Sequence, residues 1–117
     1  MPTILVTGAN RGIGAALAES YLRDGWAVIG ASRSGVVTQP EIEVLKLDVT
    51  DPGSIAAAVQ QLDGRAIDIL WNNAGVYLDK GVGLDGFDDA TWLESFAVNT
   101  VAHLRLADAL RENVARS

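Results

Sequence analysis

Eight residues near the N-terminus, Thr7-Gly8-Ala9-Asn10-Arg11-Gly12-Ile13-Gly14, constrain this chain more than any other feature. They lie between a β-branched run, Thr3 to Thr7 (TILVT), and a segment in which Ile13, Ala16, Leu17, Ser20 and Tyr21 follow helical spacing. A strand that turns through glycines directly into a helix can bring its main chain against a ligand, because no Cβ atoms hold the ligand off. The helix start adds unpaired N–H groups and the positive end of a dipole, so the arrangement suits a pyrophosphate. The glycine pattern alone is also compatible with an ordinary tight turn. The strand before it and the helix after it favour the phosphate reading.

The rest of the chain alternates in the same way. Gly25 after Asp24 suits a left-handed helix stop. Trp26 to Ala31, Val44 to Leu47 and Ile67 to Trp71 read as three further strands. Between the last two, Asp51-Pro52 fits an N-cap followed by proline at the first helical position, and Ile55, Ala58, Val59 and Leu62 make one apolar stripe before Gly64. Gly75 to Asp89 is rich in Gly and Asp and reads as a surface loop. Thr91 and Glu94, at capping-box spacing, open a last helix expected to run to about Asn113. Strands and helices in alternation imply an α/β fold with right-handed crossovers and a parallel sheet. The expectation is one domain over residues 1–117, ending after the fourth strand and its following helix. The apolar arc of that helix, Trp92, Leu93, Phe96, Leu104, Leu106 and Leu110, is wide for one sheet face, so it meets either a further part of the fold or another subunit.

Composition excludes several function classes. A formal charge of −6, with nine basic residues and no basic run, argues against a nucleic-acid partner. The chain has no cysteine and one histidine, His103, which argues against a metal centre. The first strand begins at once after Met1-Pro2 and is too short for a signal or membrane segment, so a soluble cytoplasmic protein is expected.

TGANRGIG resembles the TGxxxGxG cofactor loop of the short-chain dehydrogenase/reductase family. Three more motifs of that family follow in order: Asp48-Val49 after the third strand, Asn72-Asn73-Ala74-Gly75 after the fourth, and Asn99 within Phe96-Ala97-Val98-Asn99. The resemblance covers the whole chain but only about the first half of the family's usual domain. It implies a Rossmann-type doubly wound sheet. It also implies hydride transfer between a nicotinamide cofactor and a carbonyl or alcohol substrate. Gly8, Asn10, Arg11, Gly12, Ile13 and Gly14 would then form the cofactor loop. Asp48, followed by Val49, would receive the adenine amino group, and Asn73, Ala74 and Gly75 would line the cleft beside the riboses. Asn99 would be the catalytic asparagine that holds a water and fixes the active-site lysine. Taken alone, Asp48 could merely cap a turn, Asn73 to Gly75 could form a plain turn, and Asn99 would most often be a tolerated polar position on a helix.

Cofactor choice follows from charge. An NAD enzyme of this type carries an acid near the end of the second strand, where it binds the ribose 2′-hydroxyl and repels a 2′-phosphate. Here Ser32 and Arg33 stand there, and Arg33 with Arg11 makes two cations, so NADP(H) is expected over NAD(H). No Tyr-x-x-x-Lys occurs in these 117 residues, and Tyr77 and Lys80 have the wrong spacing for it. The family's serine is likewise not found. The expected function is therefore the cofactor half of an NADP(H)-dependent oxidoreductase, with a non-catalytic dinucleotide-binding or regulatory module as the alternative and a remnant that binds nothing as a third. An open fourth strand and the wide apolar arc both point to a homo-oligomer.

Overall fold

The computed structural model describes residues 1–10, 12–35, 37–72 and 102–116. It contains strands β1 (Thr3–Thr7), β2 (Ala27–Ser32), β3 (Glu43–Lys46) and β4 (Ile69–Trp71), and helices α1 (Gly12–Arg23), α2 (Pro52–Leu62), α3 (Ala102–Ala109) and α4 (Arg111–Ala115). The strands form one parallel sheet in the order β3-β2-β1-β4, with Leu5 opposite Ile29 and Leu70, and Ala31 opposite Leu45. This is the parallel α/β sheet expected from the alternating pattern, in the Rossmann-type arrangement that the family resemblance implies. All five residues of β1 are buried, as a central strand covered on both faces requires.

Two strands start later than their apolar runs suggest. Trp26 closes the turn that follows α1: its N–H donates to the Tyr21 carbonyl at 3.1 Å, and its ring meets that of Tyr21 edge-on, 4.8 Å between centroids. Gly25, at φ 86°, makes the expected left-handed stop. Ile67 donates its N–H to the Asn113 carbonyl instead of to a strand. Asp68 then joins β1 from both sides, its N–H donating to the Thr3 carbonyl and its carboxylate accepting the Thr3 N–H at 2.7 Å.

Helix α1 turns a different face to the sheet from the one its larger apolar residues suggest. Gly14, Ala15 and Ala18 are buried, whereas Ile13 is 74% exposed and Ala16 is exposed. Small residues let the helix backbone approach β1 and β2 closely, and Leu17, Tyr21 and Leu22 close the flanks around Ile4, Val6 and Val28. On the other sheet face, Leu5, Ile29, Leu45 and Leu47 pack against Ile55, Ala58 and Leu62 of α2 and against Ala102, Leu106 and Leu110. Helix α2 has its expected Asp51 cap, with the carboxylate accepting the Gly53 N–H at 2.9 Å.

The last helix departs from expectation in two respects. It breaks at Leu110, where the backbone sits at φ −100°, ψ 9°, and a second short helix continues past Asn113 to Ala115. Leu104 is 69% exposed, so it does not share the buried stripe of Leu106 and Leu110. The described part of the arc is narrower than the sequence suggests. Thr91, Trp92, Leu93, Glu94 and Phe96 lie outside the described residues.

Candidate functional site

The sheet order steps from β1 outward to β2 and β3 on one side and to β4 on the other. The connections therefore diverge above the carboxyl ends of β1 and β4, the place where open α/β sheets leave a crevice for a ligand. The Thr7 hydroxyl donates to the Trp71 carbonyl across these two strands at 3.4 Å. Immediately after Thr7 the chain turns through Gly8 at φ 66° and Gly12 at φ 60°, conformations that side chains with a Cβ resist. Between them Ala9 is fully buried, and its N–H donates to the Ala31 carbonyl at 3.1 Å, which seats the loop on β2.

Gly30 makes room for this seating. A Cβ there would lie 2.8 Å from Ile42 Cγ2 and from Val37 Cγ1, and 3.2 Å from Ala9 Cβ. The glycine of β2 thus lets the first loop and the β2–β3 connection close over the same strand.

The open side of the loop is a cradle. A Cβ on Gly12 would meet no atom within 4 Å, and Ile13 projects into solvent beside it. The first turn of α1 carries no acidic residue to oppose its positive dipole end. Beyond the end of β4, Asn72 Oδ1 is buried with no hydrogen-bond partner among the described residues. Buried polar atoms ordinarily find a partner, so an unpaired acceptor at the switch point is a place where a ligand donor fits. A glycine cradle on a helix start together with this acceptor fits a dinucleotide.

Asp48 and Arg33 close the far side. Asp48 follows β3, its main-chain N–H donates to Ser54 Oγ at 2.9 Å, and its Oδ1 accepts the Thr50 hydroxyl at 2.6 Å and the Thr50 N–H at 2.9 Å. The Thr50 hydroxyl, then the Thr50 N–H, hold the Asp48 carboxyl below the usual carboxylate value. Partial burial opposes them, and the Arg33 charge adds the smallest lowering. Arg33 is exposed in the turn after β2. Ser32 is packed inside at 4% exposure, with its Oγ 3.4 Å from Ser34 Oγ, and Val49 is buried in the core, so each positions a neighbour more than it offers a surface.

The structure thus gathers Gly8, Asn10, Gly12, Ile13, Gly14, Ser32, Arg33 and Asp48 along the carboxyl ends of the strands. Arg11, Asn73, Ala74, Gly75 and Asn99 lie outside the described residues, as do Tyr77, Lys80 and the side chain of His103. Two residues were missed as contributors in their own right. Asn72 stood in its motif without a role, and Thr50 stood two residues after Asp48, a spacing that lets a hydroxyl and an amide share one carboxylate oxygen. Among the described residues no group of three His, Cys, Asp or Glu is placed to hold a metal ion, and no helix is long and apolar enough to cross a membrane.

A family model described as short chain dehydrogenase matches residues 2–117. The chain is 36% identical over 115 residues to the 3-oxoacyl-[acyl-carrier-protein] reductase of Escherichia coli, a match covering 91% of this chain and 46% of that enzyme. It superposes with a TM-score of 0.80 and 30% identity on an oxidoreductase of the short chain dehydrogenase/reductase family from Brucella ovis in complex with a partially ordered NAD, covering 99% of this chain and 59% of that one. A Burkholderia multivorans protein described as a short-chain dehydrogenase/reductase with bound NADP gives 0.82 and 28%, covering 96% and 53%. The chain spans about half the length of the relatives it matches.

Proposed function

This chain belongs to the short-chain dehydrogenase family, and from that premise we propose that its 117 residues are the cofactor-binding domain of an NADP(H)-dependent oxidoreductase acting on a carbonyl or alcohol. When bound, the nicotinamide dinucleotide supplies the hydride acceptor or donor. The chain's own residues bind and orient it. The main chain from Gly8 to Gly14, with Asn10, Arg11 and Ile13, would hold the pyrophosphate at the start of α1. Arg33, seated by Ser32, would meet the ribose 2′-phosphate, and Asp48, anchored through Val49, would accept from the adenine amino group. Asn73, Ala74 and Gly75 would line the ribose cleft, and Asn99 would hold a water for proton transfer.

The observation that carries this reading is the left-handed pair Gly8 and Gly12 at the start of a helix with no acid in its first turn, together with Asn72 Oδ1 after the neighbouring strand β4, buried and without a hydrogen-bond partner among the described residues. The preference for NADP(H) is supported by an exposed Arg33, with no acid from Ala31 to Gly35. The exposed Leu104 supports a homo-oligomeric contact along α3, and light scattering that gives a monomer at high concentration would remove it. Calorimetric titration with NADPH and NADH tests the cofactor assignment. The expected outcome is NADPH bound about tenfold more tightly, as one charge-assisted contact supports. NADH bound at least as tightly would overturn the preference. Failure to bind either would leave an interaction module.

A further inference from the structure

The adenosine end of the site contains a residue to which neither the motif nor the family match assigns a part, and an inference about it rests on the cofactor reading above. Asp48 lies between two buried residues, Leu47 and Val49, so its side chain is the one in this stretch that leaves the core. Its main chain is fixed twice: the N–H donates to Ser54 Oγ at 2.9 Å, and the carbonyl accepts the Asp51 N–H at 3.1 Å. Backbone fixation still leaves an aspartate free to rotate among staggered side-chain wells. Thr50 removes that freedom, because two donors of one residue converge on a single carboxylate oxygen.

We propose that Thr50 is a positioning residue that makes this site selective for a base bearing an exocyclic amino group. Its hydroxyl at 2.6 Å and N–H at 2.9 Å hold Asp48 Oδ1 and leave Oδ2 as the acceptor presented to the base. Oδ2 makes no hydrogen bond among the described residues. An ionised carboxylate accepts only, so adenine, which offers an amino group, is favoured over hypoxanthine, which offers a carbonyl oxygen at the same place. The second base would set two acceptors against each other. Two bonds from Thr50 also keep the carboxyl in the ionised form on which this discrimination depends.

The charged groups around Asp48 do not replace Thr50 in this task. Arg33, from the turn after β2, acts on the carboxyl only through its charge, and Asp51 engages its own carboxylate with the Gly53 N–H at 2.9 Å. Thr50 is itself exposed, so exchanging its hydroxyl for a methyl group leaves the core untouched.

The test compares binding of NADPH with binding of its analogue carrying hypoxanthine in place of adenine, in the purified protein and in Thr50→Val, Thr50→Ala and Thr50→Ser. The unaltered protein should favour adenine by about tenfold, Thr50→Val and Thr50→Ala should reduce that to roughly threefold or less, and Thr50→Ser should restore it. Carbon NMR of the Asp48 carboxyl, which needs no ligand, should show its titration midpoint raised in Thr50→Val and returned in Thr50→Ser. Adenine preference unchanged in both hydroxyl deletions, or a midpoint that does not move, would overturn the role of Thr50 and leave the cofactor reading intact. Equal binding of the two bases by the unaltered protein would do the same. A protein that binds neither dinucleotide would overturn the cofactor reading and this inference together.

Discussion

Asn113 clasps Arg65 across 48 residues of sequence: its buried side-chain amide donates to the Arg65 carbonyl at 2.8 Å, while its own carbonyl accepts the Ile67 N–H at 3.0 Å. Arg116 adds a third tie, donating to the Gly64 carbonyl at 3.0 Å. The connection between α2 and β4 is therefore tied to α4 by hydrogen bonds in addition to the burial of Ile67 in the cluster with Leu106 and Leu110. Asn113→Ala should destabilise the fold by about 1–3 kcal/mol, since it removes one bond and leaves the Arg65 carbonyl unpaired against a packed helix. Urea unfolding measures this. A change within about 0.5 kcal/mol would mean that water replaces the amide at no cost.

Gly12→Ala separates binding from folding. The added methyl meets no protein atom, but it must adopt φ 60°, which costs roughly 1–2 kcal/mol in stability. It also fills the open side of the cradle, so dinucleotide affinity should fall about tenfold or more in calorimetry. Unchanged affinity would place the ligand elsewhere.

Gly30→Ala probes the opposite kind of glycine. Here the backbone is ordinary and the space is taken, with stiff branched side chains of Ile42 and Val37 at 2.8 Å from the new Cβ. Overpacking of this kind costs roughly 1–3 kcal/mol. Because Ala9 is also 3.2 Å away, the thermal midpoint and dinucleotide affinity should fall together.

Arg33→Ala should weaken NADPH at least about fivefold more than NADH, because only the former carries the additional phosphate. The difference should shrink as salt is raised, Arg33 being exposed and therefore screened. Equal losses for the two cofactors would show that Arg33 supports the loop and does not read the phosphate.

The Asp48–Thr50 contact also predicts a pH dependence of stability. Asp48 has its folded-state value lowered from 3.8, so the contact contributes fully above that value and is lost as pH falls through the lower, folded-state one. The stability difference between the unaltered protein and Thr50→Val should be constant from about pH 6 to pH 5 and shrink below about pH 4. A difference that grows on acidification would contradict the direction of the shift.

Much of this was legible in the amino-acid order. The alternation of apolar runs with amphipathic segments, the Asp51-Pro52 start, the Gly25 stop and the glycine loop after Thr7 are local signals, each set by the backbone preferences of a few adjacent residues. They were sufficient for a parallel α/β sheet and for the placement of Gly8, Gly12, Arg33 and Asp48 at strand ends.

What only the tertiary structure decided are matters of which surface meets which. Helix α1 packs through Gly14, Ala15 and Ala18 because close approach to β1 and β2 outweighs burial of the larger Ile13, and spacing alone cannot rank those two gains. Ile67 leaves the strand run because Asn113, far away in sequence, takes its N–H. The sequence by itself determined the elements and their order through short-range chemistry. The burial of Ser32, the exposure of Ile13 and the Asn72 oxygen left without a partner among the described residues were decided by contacts between residues distant in the chain, because burial and hydrogen-bond satisfaction belong to the assembled layers and not to any one segment.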